Sequence, residues 1–234
     1  MEQTRFPGMN ETTAVQIQQR LMQRVFSWMF AGLSMTAIIA IALYSNPDVP
    51  VFLASTPGVF WGILIAELIV VFGLSALLHK LTPFMATFAF FLYAALNGVT
   101  FTLILAQFDL ALVGTAFLIA AGMFGLFAVI GYVTKINLTK IGSIAIMGAI
   151  GLVLASLVNL FFLHSSVVEL VISYLLVLVF CIVTAYDIQN IKRMSERAYD
   201  EKTATKLAIF GALMLYLDFI IIFKNLLSIL SSDD

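Results

Sequence analysis

Long apolar runs, each bounded by a few polar or turn-forming residues, fill almost the whole chain after residue 23. A bilayer core about 30 Å thick is crossed by a helix of about 20 apolar residues. Runs of that kind fall at 24–44, 59–78, 84–105, 111–133, 141–163, 167–189 and 207–230. Asn46-Pro47-Asp48 and Thr56-Pro57-Gly58 punctuate the link between the first two, with the turn chemistry of such clusters. Thr82-Pro83 opens the third, where a proline at the first helical position is tolerated. Gln107-Phe108-Asp109 alone separates the third run from the fourth, and His164-Ser165-Ser166 the fifth from the sixth. Links so short predict antiparallel neighbours. The pattern predicts an all-α membrane protein, a bundle of seven transmembrane helices over 24–230, with an N-terminal tail over 1–23 and a short tail over 231–234. Residues 12–23 carry apolar Val15, Ile17, Leu21 and Met22, which predicts a short amphipathic lead-in lying along the interface.

Composition agrees with lipid as the solvent. Of the 234 residues, 62% are hydrophobic and 11% charged, against about half and about a quarter in soluble domains. The net charge of −1 gives no reason to expect nucleic acid as a partner. The single cysteine, Cys181, lies in an apolar run and supplies neither a disulfide framework nor a metal cluster; a small core residue is the simple reading. The first twenty residues are polar and mixed in charge, unlike a cleavable signal peptide, so the first span is expected to direct insertion.

Basic residues alternate with the links. Arg5, Arg20 and Arg24 precede span one, Lys80 follows span two, and Lys135 and Lys140 follow span four. Lys192, Arg193, Arg197, Lys202 and Lys206 follow span six, and the remaining links carry none. Eleven of the twelve basic residues thus share one side, and Lys224 is the exception. The positive-inside rule predicts a cytoplasmic N-terminus and the Ser231–Asp234 tail outside. Trp28, Tyr44 and Trp61 are expected interface anchors. Small residues four apart, Ala94 with Gly98, Ala121 with Gly125, Ala145 with Ala149 and Gly151 with Ala155, predict closely approaching helices.

Against this background, ionisable groups within spans carry the chemistry. Each costs about 2.5–3.5 kcal/mol to insert near a helix centre. Asp187 lies near the basic end of span six, and two readings compete: a carboxylate neutralised by Lys192 and Arg193, or a functional group. Asp218, in YLDFIIIF (216–223), has apolar neighbours on every side and must face the protein interior or a wet cavity. Spans six and seven are consecutive, so the two carboxylates can share a cavity. Asp187 is about 7.5 Å of helix from Lys192, and Asp218 about 18 Å from Lys206. They meet only if the start of span seven, near Lys206–Gly211, projects beyond the bilayer. Two carboxylates a few ångströms apart in a low dielectric cannot both ionise cheaply and titrate as a unit. Such a pair can hold a shared proton, or bind a hard cation such as Ca²⁺ through its oxygens.

Glu67, midway along span two, has no cation near it in sequence; it is either a hydrogen-bonded acid facing the bundle or part of a cation path or gate. His79 and Lys80 end the same span, where either could approach Asp187. Asn97 and Asn159 are expected to hydrogen-bond between helices, and Lys224, six residues beyond Asp218, to snorkel outward from a different face. An enzyme is not expected: no HExxH, GxSxG or phosphate-binding glycine loop occurs, and two distant histidines cannot make a usual zinc set. No cofactor is implied. The two-aspartate pattern of an intramembrane aspartyl protease is half met, because Asp218 follows Tyr216-Leu217 rather than a GxG element.

TAYDIQNIK (184–192) followed by GALMLYLDFIIIF (211–223) resembles the closing signature of the Bax inhibitor-1, or transmembrane Bax inhibitor motif, family. Glu67, GMFG (122–125), GYVTKINLTKIGS (131–143) and LASLVNLFF (154–162) extend the likeness over the chain from about residue 20. The resemblance implies a bacterial inner-membrane protein of seven helices with the last one central. It also implies a pH-sensitive calcium leak whose sensor is the aspartate pair at Asp187 and Asp218. Some bacterial relatives are associated with a membrane-bound ATP-dependent protease, which implies a rival role as a non-transporting regulator. The chain departs from the family pattern twice. Ile221 stands where an asparagine is usual, and Leu77-Leu78-His79-Lys80 where members can carry an arginine that latches the first aspartate.

Overall fold

The computed structural model describes residues 11–77, 80–195 and 201–232. Arg5, His79, Arg197 and the last two residues of the C-terminal tail lie outside them, as do the side chains of Val15 and Ile17. The described residues form eight α-helices in chain order: α1 (Glu11–Tyr44), α2 (Asp48–Ser55), α3 (Pro57–Leu77), α4 (Pro83–Gln107), α5 (Leu110–Val133), α6 (Thr139–Val158), α7 (Ser166–Met194) and α8 (Glu201–Leu230). A π-helical turn, Asn159–Leu163, continues α6. Seven of these helices are long and apolar enough to cross a membrane, at the places the apolar runs predict.

Side-chain caps make the short links workable. The Thr82 hydroxyl accepts from the Met85 amide at 3.2 Å, and Asp109 Oδ1 accepts from the Ala111 amide at 2.9 Å. Both satisfy a donor that the first turn of a helix leaves free. The link between the first two spans contains α2, which its flanking turn signals did not suggest. Pro50 falls in the first turn of α2, where a missing amide costs nothing. The N-terminal lead-in is no separate element. It runs unbroken into α1, and Leu21 and Met22 are buried in the core rather than lying outside it.

α8 is the innermost span. Of its most apolar stretch 61% is buried, against 11% for α3 and 11% for α6 with its π-turn. It packs on α1, α4, α5 and α7, while α3 joins the bundle through α4 and α6 through α7. Close approach is set by small residues. A methyl group at Gly98 would stand 2.8 Å from Ile39 Cβ and 2.9 Å from the Thr36 carbonyl of α1. Gly131 of α5 rests on the Ala185 backbone of α7, and Gly142 of α6 on the Tyr186 ring, with no room for a side chain at either. Gly125 and Gly151, in contrast, face open space.

The two asparagines expected between spans bond locally instead. Asn97 Nδ2 donates to the Tyr93 carbonyl of its own helix at 3.2 Å, the partner one turn back that a short amide in a helix can reach. Asn159 closes the turn into α7, donating to the Ser165 carbonyl and accepting from the Ser165 amide, both at 3.1 Å. The wider π-turn and the left-handed His164 (φ 50°) bring that backbone within its reach.

Candidate functional site

Asp187 and Asp218 stand on adjoining antiparallel helices, and Gly211 sets their register. A methyl group there would lie 3.0 Å from Val25 Cγ2 and 3.2 Å from Ile191 Cγ1, so Gly211 is level with Ile191. Asp218 is then about 10.5 Å further along α8, and Asp187 about 6 Å back along α7. The stagger of about 4.5 Å sets Asp218 deeper by about three residues, level with Thr184. Lys206 is about 7.5 Å from Gly211 toward the basic end. The start of α8 thus projects past the level of Ile191.

Asp218 lies within reach of the Asp187 charge, and the Thr184 hydroxyl lies beside it. Thr184 is fully buried and donates to the Phe180 carbonyl at 2.8 Å. Asp187 is 6% and Asp218 3% exposed. Among the described residues, Oδ2 of Asp218 has no hydrogen-bond partner. Cys181, one turn from Thr184 on α7, is also buried and feels the Asp218 charge.

The cations that follow Asp187 do not neutralise it. Five and six residues along a helix turn Lys192 and Arg193 through about 140° and 240°, away from the Asp187 face. Lys192 Nζ donates to the Tyr132 carbonyl at 2.7 Å and lies 4.6 Å over the Tyr132 ring. Arg193 donates to Thr139 Oγ1 at 2.6 Å, Asn137 Oδ1 at 2.7 Å and Gln189 Oε1 at 2.8 Å. Gln189 also accepts from the Leu138 amide and donates to the Ile136 carbonyl, each at 2.8 Å. These bonds tie the α5–α6 link to the end of α7. Among the described residues Asp187 forms no ion pair, with Lys80 or any other cation; His79 is outside them.

A second polar group sits toward the other end of the bundle. Glu67 Oε1 accepts from Thr100 Oγ1 of α4 at 2.6 Å, and Lys224 of α8 is near enough to act on its charge. Lys224 is exposed, in keeping with the outward snorkelling expected of it, and its charge still acts on Glu67 across α4, which α3 and α8 flank. Level with the aspartates, Thr36 Oγ1 of α1 shares a 2.7 Å hydrogen bond with the Tyr216 hydroxyl of α8 and donates to the Ala94 carbonyl of α4 at 2.9 Å. Thr184 and Thr100 escaped the sequence reading, since hydroxyls carry no spacing signal, and so did the approach of Lys224 to Glu67. Among the described residues no three His, Cys, Asp or Glu side chains gather as a metal site.

A family model described as "Inhibitor of apoptosis-promoting Bax1" matches residues 18–234. The chain belongs to the Bax inhibitor-1 family. This Bax inhibitor-1 family protein is 40% identical over 213 residues to the inner membrane protein YbhL of Escherichia coli K12, covering 90% of this chain and 91% of YbhL. It is 37% identical over 221 residues to a protein of Borreliella burgdorferi, covering 94% and 95% of the two chains. Over 213 residues it is 40% identical to one of Deinococcus radiodurans, covering 91% of this chain and 90% of that one. The family signature segments fall on α7 and α8 around the two aspartates.

Proposed function

We propose that this Bax inhibitor-1 family protein is a pH-sensitive calcium leak of the bacterial inner membrane, gated by the proton-sharing pair Asp187 and Asp218. One observation carries the reading. Two buried carboxylates interact inside the bundle with no cation beside them among the described residues, and one has a free oxygen. Burial of that kind is costly and marks ion and proton pathways in membranes. Calcium takes six to eight oxygens, more than two carboxylates supply, which suits an ion in transit that keeps part of its water. A proton held between the carboxyls competes with that ion, so flux depends on pH. Glu67, with Lys224 nearby, is a second control point on the same route. The name of YbhL supports the inner membrane, and the basic residues support a cytoplasmic N-terminus with the C-terminus outside.

The test is calcium flux against pH in liposomes holding the purified protein. Wild type should show a pH-dependent leak, and Asp187→Asn and Asp218→Asn should each flatten the profile. A variant profile that superimposes on wild type would sink the gate. No flux at any pH would leave a non-transporting regulator of other membrane proteins, such as a membrane-bound protease.

A further inference from the structure

A groove of about 860 Å³ runs down the outside of the bundle between α1 and α5, within the volume range of ligand sites, about 300–1,000 Å³. The two helices make no extended contact, and Ile188 of α7 forms the floor. The helices are antiparallel, so the wall has a polar end and an apolar end. Gln19, Gln23 and Tyr132 line the mouth; Phe26 and Phe124 line the deeper part. From Gln19 to Ser27 the groove follows α1 for about 12 Å, close to the roughly 15 Å depth of one leaflet. Gly125 keeps it open, since nothing stands within 4 Å of where its side chain would begin.

Cations flank the mouth, beside two of its lining residues. Lys192 lies over the Tyr132 ring and spends one hydrogen bond on the Tyr132 carbonyl, leaving donors of its ammonium for a further acceptor. Arg20, next to Gln19, is exposed. Among the described residues no acidic side chain lines the groove. We propose that this groove seats one anionic phospholipid from the leaflet on the basic side, with its headgroup at Lys192 and the glutamines and an acyl chain along Phe26 and Phe124. The shape follows from the leaflet-length channel and the choice of headgroup from the charge at its mouth.

The test uses purified protein equilibrated with vesicles of equimolar phosphatidylcholine and phosphatidylglycerol, then released for native mass spectrometry. Wild type should retain about one phosphatidylglycerol per chain, about fivefold over phosphatidylcholine, the preference that one cation confers near an anionic surface. Gly125→Leu fills open space, so it should fold and melt as wild type does yet lose the retained lipid. Gly148→Leu, equally unobstructed on α6, should retain it. Lys192→Gln should hold lipid without headgroup preference, and Lys192→Arg should restore the preference. Equal retention of the two lipids by wild type, or an undiminished count in Gly125→Leu, overturns the proposal. So does a dimer that Gly125→Leu dissociates, which would make a second copy the occupant.

Discussion

An unpaired oxygen on a buried carboxyl is an expense that packing alone would remove. At Asp218, whose Oδ2 has no partner among the described residues, the penalty for an unsatisfied polar group is about 1–3 kcal/mol, and the helix keeps it. Asp218→Val should therefore raise resistance to unfolding by about 1 kcal/mol while abolishing the pH dependence of flux, a trade common where function demands a destabilising group. Unfolding in mixed detergent micelles, read by circular dichroism, checks the first half; the liposome assay checks the second. The Thr36–Tyr216 bond behaves oppositely. Tyr216→Phe should cost about 0.6 kcal/mol, as interhelical hydrogen bonds in membranes do on average, and Thr36→Val more, since it also removes the bond to the Ala94 carbonyl. The double variant should cost less than the sum of the two, because both remove the bond that Thr36 and Tyr216 share. Fully additive losses would mean that the hydroxyls act separately.

Close approach is the currency at the level of helices. Gly142 leaves no room against Tyr186, so Gly142→Leu should cost about 1–3 kcal/mol as overpacking does, and loosen α6 from α7. Gly148→Leu on the same helix should melt like wild type, and a thermal melt of both reads the difference. The existence of the spans was legible because lipid imposes a length that apolar runs display directly. Their inward faces were not: helices apolar all round carry no stripe to read, so Ala94–Gly98 and Gly125 look alike in sequence although one is packed and the other open. Asp187 and Asp218 announced themselves as charges in apolar runs. Thr184 and the Glu67–Lys224 approach did not, since both depend on contacts between helices far apart in sequence. The α2 helix and the π-turn were hidden for a local reason, prolines and polar residues that read equally well as loop.

Over the whole molecule, sidedness is open to direct measurement. Cys181 is 1% exposed, so a cysteine introduced at the exposed Lys135 or Gln107 would react alone with an impermeant thiol reagent. In right-side-out vesicles Gln107→Cys should label and Lys135→Cys should not; labelling of both from outside would refute the orientation. A mechanical consequence follows from the bonds of Gln189 and Arg193. They bolt α5, α6 and α7 into a rigid jamb at the basic end, while Arg24 Nη1 holds Glu201 at 2.7 Å and hangs α8 on α1. If the two acids part, the leaf that swings is α8, hung on α1. Its hinge pin is an ion pair whose side chains are 41% and 76% exposed, the kind that dissolved salt weakens. Ionic strength, and not acidity alone, would then govern how far the door stands ajar.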